Sequence, residues 1–544
     1  MKVSGPWEVV LVAAVCICAF FVNNQVLVPD IMESRNIITA REMARGGDWI
    51  VPTMNGELRL EKPPLPTWVT AIAEMAAPDN VALQRGGAGL AALLLAFFFY
   101  KYASRVLKIE PVVPTLLLCT CYNVILMGRT ASWDIYTHAF MMGGIYFLAL
   151  ALQKERRSWG DFMGFAIFTG LSIMSKGPVS LFALFLPFLL SYCYFYRPKM
   201  RGKWGVLGVA VVVALAIGGW WYLYVHIACA DAWQAVMAKE SGAWLEHNVR
   251  PWYYYWKFFL ETGVWSLLLL LAMFLPLANP SRRRSRKWMF AMGWMLCSLL
   301  LLSLMPEKKP RYLLPLLIPA CYVMGCLLAW WRESFRDPAR AARADKLFFR
   351  INCGLIAVAV ALLPVLAWFF FVAKDYMPIL PWTIFSLLCL VIAYYLAAAA
   401  VKLKPTGMVL ATTALFLVSE CMAMPYLKNI INNPERHSIE ATRNIRRLDG
   451  LQFYNIASEP IRIEMVYAAD RTIRPIDPDT LGRALPCVLL THEPVGKALP
   501  ARLLEGVDTI VIDRYDDNRR PKGTRRYRRD MIYYVTILRS KTEK

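Results

Sequence analysis

The sequence predicts an all-α polytopic membrane protein of about thirteen spans that ends in a small α/β domain. Three observations lead there. Hydrophobic residues make up 58% of the 544 and charged residues only 18%, a balance that no water-exposed surface needs. Apolar runs near the length that crosses a bilayer, roughly 20 residues, recur from the N-terminus to Met424 and then stop. Lysines and arginines gather in alternate short loops, as the positive-inside rule expects of a chain that crosses repeatedly.

Taken in order, the expected spans begin with Val9 to Val28, Val81 to Tyr100, Val112 to Met127, Ile135 to Leu152, Phe162 to Ser175, Val179 to Tyr196 and Val206 to Ile227. They continue with Val264 to Leu277, Trp288 to Met305, Tyr312 to Trp331, Ile351 to Val372, Ile379 to Val401 and Met408 to Met424. The first follows a single Lys2, exceeds a signal-peptide core and lacks an A-x-A cleavage site, so it is expected to remain as an uncleaved span. Leu65 to Ala77 is shorter, carries Glu74 and has prolines at its entrance; it is either a crossing or a juxtamembrane helix. If it does not cross, six basic loops fall on the cytoplasmic side: Lys101/Arg105/Lys108, Lys154/Arg156/Arg157, Arg197 to Lys203, Arg282 to Lys287, Arg332 to Arg350 and Lys402/Lys404. If it does, that pattern dissolves. The expected topology therefore has the N-terminus inside and the C-terminus outside, with residues 1–425 as membrane domain and 426–544 as outer domain.

Placed this way, the cations behind the net charge of +22 are mostly topology determinants, which removes most of the case for nucleic acid as a partner. Of the 13 cysteines, only Cys229 and Cys487 lie in aqueous segments and no C-x-x-C spacing occurs, so neither a disulfide framework nor a thiolate metal site is suggested. The outer domain shows β-like stretches at Leu451 to Tyr454, Cys487 to Thr491, Thr509 to Asp513 and Ile532 to Leu538. Its basic tail (Arg519, Arg520, Arg525, Arg526, Arg528, Arg529) reads as a solvated face or as a contact for anionic lipid headgroups.

The outward loops hold the polar groups a membrane protein does not carry without reason. In the first, Asp30 and Glu33 stand at the exit of the first span, Arg35 and Arg41 follow, and Ile31 to Arg45 has the composition of an amphipathic surface helix ending at Gly46-Gly47. Glu61 and Lys62 precede Pro63-Pro64, which keeps the backbone extended. Arg129 and Asp134 open a later span, where the helix dipole favours a carboxylate; as a bland alternative, Asp134 is a residue of the cap region. Lys176 sits at a helix junction, where snorkelling is the alternative. The loop Ala228 to Gly263 holds Lys239, Glu240, His247, Arg250 and the PWYYYW cluster, equally readable as interfacial anchors. Pro306 to Tyr312 packs Lys308, Lys309 and Arg311 against Tyr312, an arrangement suited to an anion. Carboxylates, cations and aromatics on one face suit a lipid-linked phosphate; no P-loop, G-x-G-x-x-G or H-E-x-x-H supports a soluble nucleotide or zinc hydrolysis.

Over roughly residues 1 to 425 the chain resembles the GT-C membrane glycosyltransferases that use polyprenyl-phosphate sugars, the group of lipid A aminoarabinose transferases and protein O-mannosyltransferases. Four blocks carry the likeness: ESRNIITAREMARGGDWIVPTMNGELRLEKPPLPTW, RTASWD, SKGPV and KKPRYLLPLLIP. The resemblance implies a multi-helix membrane domain with amphipathic helices in the first outer loop, and thirteen spans fit the aminoarabinose branch. Where the family carries an Asp-Glu pair followed by x-Arg-Tyr, this chain has Met32 in place of the Asp, matches at Glu33 and Arg35, and has Asn36 in place of the Tyr. The catalytic carboxylate implied is Glu33, or Asp30 from one turn earlier. By the same resemblance Glu61 and Lys62 match a substrate-phosphate pair, Asp134 a second outer carboxylate, Lys176 an outer lysine and Tyr312 a site tyrosine, with His247 and Arg250 corresponding more loosely.

The expected reaction is an inverting sugar transfer from undecaprenyl phosphate, with Lys62, Arg250, Lys309 and Arg311 stabilising the departing phosphate and Glu33 or Asp134 serving as base if the acceptor is a hydroxyl. The expected acceptor is a lipid A-type phosphate, with a protein hydroxyl or a growing glycan as the alternative. A monomer is expected, and no metal is expected because the carboxylates are dispersed and flanked by lysines. The rival class is a transporter or flippase, against which stand the lack of internal repeats and of a Lys, Arg, Asp or Glu deep in any span apart from Glu420 near one end.

Overall fold

The computed structural model describes residues 6–246, 248–431, 433, 435–525 and 527–541. It separates into two compact units. The first comprises Met1–Gln25, Leu60–Val69 and Ala77–Pro425; the second comprises Val26–Arg59, Thr70–Ala76 and Tyr426–Lys544.

The first unit is helical. Among the described residues nine helices are long and apolar enough to cross a membrane: Val81–Leu107, Trp133–Gln153, Trp204–Ala228, Trp252–Ala278, Arg286–Leu304, Pro310–Ser334, Arg343–Lys374, Ile379–Lys402 and Pro405–Ile431. Each falls on an expected span. The other four expected spans are occupied by shorter helices, Pro6–Phe21, the pair Val112–Cys119 and Tyr122–Gly128, Trp159–Lys176 and Leu186–Tyr196. The pair is broken at Thr120, whose hydroxyl donates back to Leu116 O at 2.6 Å and accepts from the indole of Trp265 at 2.9 Å. Leu65–Ala76 has 12 residues, roughly 18 Å of helix against a hydrocarbon core of about 30 Å.

Trp133–Gln153 and Trp159–Lys176 form an antiparallel hairpin that sets the position of both its ends. Small residues let the backbones close up: a Cβ on Gly144 would stand 2.7 Å from Thr169 Oγ1, and one on Gly170 would stand 2.6 Å from Ile217 Cβ of the next helix, Trp204–Ala228. Reciprocal hydrogen bonds set the register. Thr137 Oγ1 donates to Ser172 O at 2.8 Å, and Ser172 Oγ donates to Thr137 O at 2.6 Å.

A buried clasp ties the first helix to this bundle. Arg129 donates to Ala19 O at 3.0 Å and Val22 O at 2.7 Å, carbonyls at the end of Pro6–Phe21 that have no helical partner, and pairs with Glu420 at 2.6 Å. Asn23 Nδ2 donates to Glu420 O at 2.7 Å. Glu420 thus has a structural use, which the sequence leaves unexplained.

In the second unit, the strands β1 (Thr53–Met54) and β2 (Glu57–Leu58) form a hairpin. Five more, β3 (Gln452–Ile456), β4 (Ile473–Ile476), β5 (Cys487–Thr491), β6 (Val507–Asp516) and β7 (Ile532–Ser540), form a sheet in the order β4-β3-β5-β7-β6. β3 pairs in parallel with β4 and β5; β7 pairs antiparallel with β5 and β6. The central β5 is buried throughout, and its alternation sends Val488 and Leu490 to one core and Cys487 and Leu489 to the other. β4 escaped the sequence because it is a four-residue edge strand containing Pro475, which only an edge tolerates.

The helix expected at Ile31 to Arg45 is found at Ile31–Ala44, and its Ile38 belongs to the sheet's core. Arg41 donates to Tyr467 O at 2.9 Å and lies 4.6 Å from that tyrosine's ring centroid, while Asn55 exchanges two 2.7 Å hydrogen bonds with the backbone of Ile473. The chain's first loop is therefore assembled with residues from its last quarter.

Replacing Arg129 with Ala strips the clasp and leaves the partly buried carboxylate of Glu420 without its cation, which is expected to cost about 3 kcal/mol or less. Thermal unfolding of the detergent-solubilised protein checks this; a variant that melts with the wild type shows that the clasp does not hold the bundle.

Candidate active site

The hairpin's register places the first turn of Trp133–Gln153 beside the last turn of Trp159–Lys176, so Asp134 and Lys176 meet although 42 residues apart. Both are almost fully buried, and their side chains form a direct ion pair. Arg311 Nε approaches the other oxygen of Asp134 at 3.8 Å. The ring of Tyr312 collects cations: Lys176 Nζ lies 4.8 Å from its centroid, Arg311 Cζ 5.6 Å and Lys309 Nζ 5.7 Å. Its hydroxyl donates to Glu307 at 3.2 Å, and Glu307 pairs with Lys309. Five of the expected residues, Asp134, Lys176, Lys309, Arg311 and Tyr312, therefore form one cluster.

The turn that carries three of them is pinned from two sides. Tyr255 is buried, and its hydroxyl accepts from Lys309 N at 2.9 Å and donates to Lys309 O at 3.1 Å. Lys308 turns inward and donates to Arg250 O at 3.2 Å and to Met305 O. Of the turn's cations, Lys308 is thus a structural clamp while Lys309 and Arg311 face the cluster. The aromatic run divides in the same way, since Trp252, Tyr253 and Trp256 are exposed as interfacial anchors would be and Tyr255 is a fastener. Arg250 adjoins the turn through its backbone, whose N–H donates to Pro306 O at 3.3 Å, and its side chain is exposed.

Lys62 belongs to the same unit. Its ammonium donates to Glu240 at 3.3 Å, and both side chains are about 30% exposed, so water screens a pair of this kind to about 1 kcal/mol or less. Glu61 is half-buried, and its Oε2 is shielded from solvent with no hydrogen-bond partner. His247 lies outside the described residues.

Asp30, Glu33 and Arg35 lie in the second unit. Asp30 is the N-cap of Ile31–Ala44: its Oδ1 accepts from Met32 N at 2.8 Å and Glu33 N at 2.9 Å, and Glu33 reaches back to Asp30 N at 3.4 Å. Glu33 is buried, whereas Arg35 is exposed. Arg519 from the basic tail is turned toward these carboxylates and donates to Pro29 O at 2.5 Å. Burial pulls its pKa below the ordinary arginine value and Arg436 adds to this, while Glu464, Asp30 and Glu33 oppose it. A guanidinium stays charged throughout, so Arg519 is a fixed cation beside Asp30 and Glu33.

Three residues of these sites escaped the sequence. His138 lies one helical turn below Asp134, is 2% exposed, and has an Nδ1 without a partner; a polar ring inside an apolar span is itself a signal. Glu307 and Arg519 give no such signal, because their roles depend on contacts with groups distant in sequence. No group of three or more His, Cys, Asp or Glu side chains suited to a metal ion occurs among the described residues.

Comparison with known proteins bears on the fold first. The crystal structure titled ArnT from Cupriavidus metallidurans bound to undecaprenyl phosphate superposes with a TM-score of 0.65 at 19% identity, covering 98% of each chain. This is the GT-C fold. Residues 61–222 match the family model described as dolichyl-phosphate-mannose-protein mannosyltransferase, a stretch that contains Glu61, Lys62, Asp134 and Lys176. Two similar curated proteins are undecaprenyl phosphate-alpha-4-amino-4-deoxy-L-arabinose arabinosyl transferases. That of Pseudomonas fluorescens (strain Pf0-1) is 26% identical over 62% of this chain and 59% of its own length. That of Pseudomonas paraeruginosa (strain DSM 24068 / PA7) is 27% identical over 63% and 61%. The match spans about three fifths of the length of these curated relatives.

The capping geometry makes Asp30 separable from chemistry. Asp30→Ala is expected to lower stability by about 1 kcal/mol, and Asp30→Ser, which can still accept from the first turn, by only a few tenths. Equal unfolding temperatures for the Ala variant and the wild type would show that the cap is idle.

Proposed function

We propose that this chain transfers a sugar, with inversion, from undecaprenyl phosphate to a phosphate of a lipid A-type acceptor at the periplasmic face of a bacterial inner membrane. The sugar is of the 4-amino-4-deoxy-arabinose class named for its relatives. In this reading the N-terminus is cytoplasmic, 426–544 form a periplasmic domain, and the enzyme works as a monomer without nucleic acid or a required metal. The observation that carries it is the set of cations gathered on Tyr312 at the end of membrane-length helices, with Lys176 and Arg311 shared by one buried carboxylate.

The chemistry follows from charge. The bond from the anomeric carbon to the carrier phosphate breaks, its electron pair stays on the phosphate oxygen, and an acceptor oxygen forms the new bond from the opposite side. The carrier gains one negative charge as the acceptor phosphate loses one. Cations fixed near the departing group favour that movement without reorganising. Lys62, Arg250, Lys309 and Arg311 serve here, and Lys62 is the cation most easily lent because its partner Glu240 is partly exposed. Asp134, paired with Lys176 and near Arg311, positions those cations. Glu61 has lone pairs to offer a hydroxyl or ammonium of the sugar.

Mass spectrometry of lipid A and of glycoproteins from cells with and without the chain is expected to show an amino-pentose on lipid A only in its presence. Sugar on protein hydroxyls with unmodified lipid A would instead favour the acceptor class in the family description that matches 61–222. Lys62→Ala and Glu33→Gln, the latter from the resemblance, are each expected to reduce transfer at least 100-fold with membrane insertion unchanged. Full transfer by either inserted variant removes that residue from the mechanism.

A further inference from the structure

We propose that a second site, at the opposite ends of the helices that carry the cation cluster, binds the headgroup of an anionic phospholipid. The helix Arg286–Leu304 starts at this site and ends at the turn bearing Lys309, and the segment Pro310–Ser334 returns from Tyr312 to it. Nineteen residues of helix span about 28 Å, close to the thickness of the hydrocarbon core, so the two sites face opposite membrane surfaces.

A cavity of about 190 Å³ lies there, with Ser285, Lys287, Trp330 and Arg332 among its walls and Val113 and Ala329 on its apolar side. The side chains of these four lining residues carry four kinds of donor: an ammonium, a guanidinium, an indole N–H and a hydroxyl. Lys287 spends one hydrogen on Lys108 O at 2.9 Å and has two more. Ser285 immediately precedes the first turn of Arg286–Leu304 and makes no capping hydrogen bond with its side chain, so that turn's positive end also faces an incoming anion.

Glu110 is the one acidic group of the lining, and it is otherwise engaged: its carboxylate accepts from Val112 N at 2.6 Å and Val113 N at 3.2 Å, capping the next helix. Neighbouring Arg282 is committed as well, held by Asp345 through two hydrogen bonds of 2.7 and 2.8 Å, and its guanidinium lies 5.8 Å from the Trp330 ring centroid. Arg332 is close enough to Glu110 to favour its charged form, so the lining holds two cations, Lys287 and Arg332, against one carboxylate, a net positive charge for a ligand. The volume accepts a phosphate group and excludes acyl chains, while the apolar wall lies where those chains would continue into hydrocarbon. A basic recess between spans at this depth is the general form of a phospholipid headgroup site. None of these residues belongs to the cluster around Tyr312, so this site stands or falls independently of the proposed transfer.

The test is native mass spectrometry of the full chain in detergent, titrated with phosphatidylglycerol, phosphatidylcholine or inorganic phosphate. Wild-type protein is expected to retain phosphatidylglycerol at least tenfold better than phosphatidylcholine. The double variant Lys287→Gln, Arg332→Gln is expected to lose about 10- to 30-fold in that retention, at roughly 1 kcal/mol per cation. Ala329→Phe, which fills the cavity and leaves every charge in place, is expected to lose it too, and serves if the double variant does not fold. Equal retention of the two lipids, unaltered binding by both variants, or displacement of the lipid by millimolar phosphate would overturn the proposal, the last by pointing to a soluble anion.

Discussion

Two hydrogen bonds between Thr137 and Ser172, each side chain donating to the other's backbone carbonyl, fix how far one helix of the central hairpin slides along the other. In a hydrocarbon surrounding such bonds are hard to exchange, because no water is present to replace them. With that register held, Asp134 at the start of one helix faces Lys176 at the end of the other. A slip of one residue would turn Asp134 by about 100° around its axis and leave a buried lysine without its counter-charge. Arg311, Lys309 and Tyr312 are arranged around this pair, so the cluster's geometry descends from a polar contact that carries no charge.

The ion pairs of this unit also differ in how firmly they are held. Asp134 and Lys176 are nearly solvent-free, and parting them would cost far more than parting an exposed pair. Lys62 and Glu240, each with substantial exposure, lose little when a ligand takes one of them. A fixed cation near the ring of Tyr312 and a releasable one at Lys62 make an uneven pair of anchors, suited to holding a phosphate whose charge changes during a reaction.

Much of this architecture was legible in composition. Hydrophobic length marked every long helix, and the Ile31–Ala44 helix and the Val/Leu-rich β5 appeared where periodicity and side-chain type put them. What the sequence concealed was pairing at a distance. Glu420 looked like an isolated charge near the end of a span until Arg129, 291 residues away, was seen to hold it. Tyr255 was indistinguishable from Trp252 and Tyr253, since anchoring at an interface and fastening a turn call for the same kind of side chain. Asp30 satisfied both a catalytic resemblance and a helix cap, and only the hydrogen bonds from Met32 and Glu33 show that one of its two oxygens, Oδ1, serves the backbone. Patterns of hydrophobicity are local and survive in one dimension; ion-pair partners are chosen by the fold.

The state of the first unit's carboxylates bears on which acceptor the proposed transfer serves. A hydroxyl must lose a proton, so it needs a carboxylate with a free and reasonably basic oxygen. Asp134 is paired with Lys176 and lies near Arg311, Glu307 is bound by Lys309 and the hydroxyl of Tyr312, and Glu240 is drawn to Lys62. Each of these three carboxylates is thus already committed to a cation before an acceptor arrives. Glu61 alone of these four acids offers a buried oxygen without a partner, and its neighbour in the chain is a lysine. A phosphate acceptor asks for none of this, because its attacking oxygen is already anionic. What it requires is that two phosphates be brought close together despite their repulsion, and a cluster built from more cations than unpaired carboxylates meets that demand.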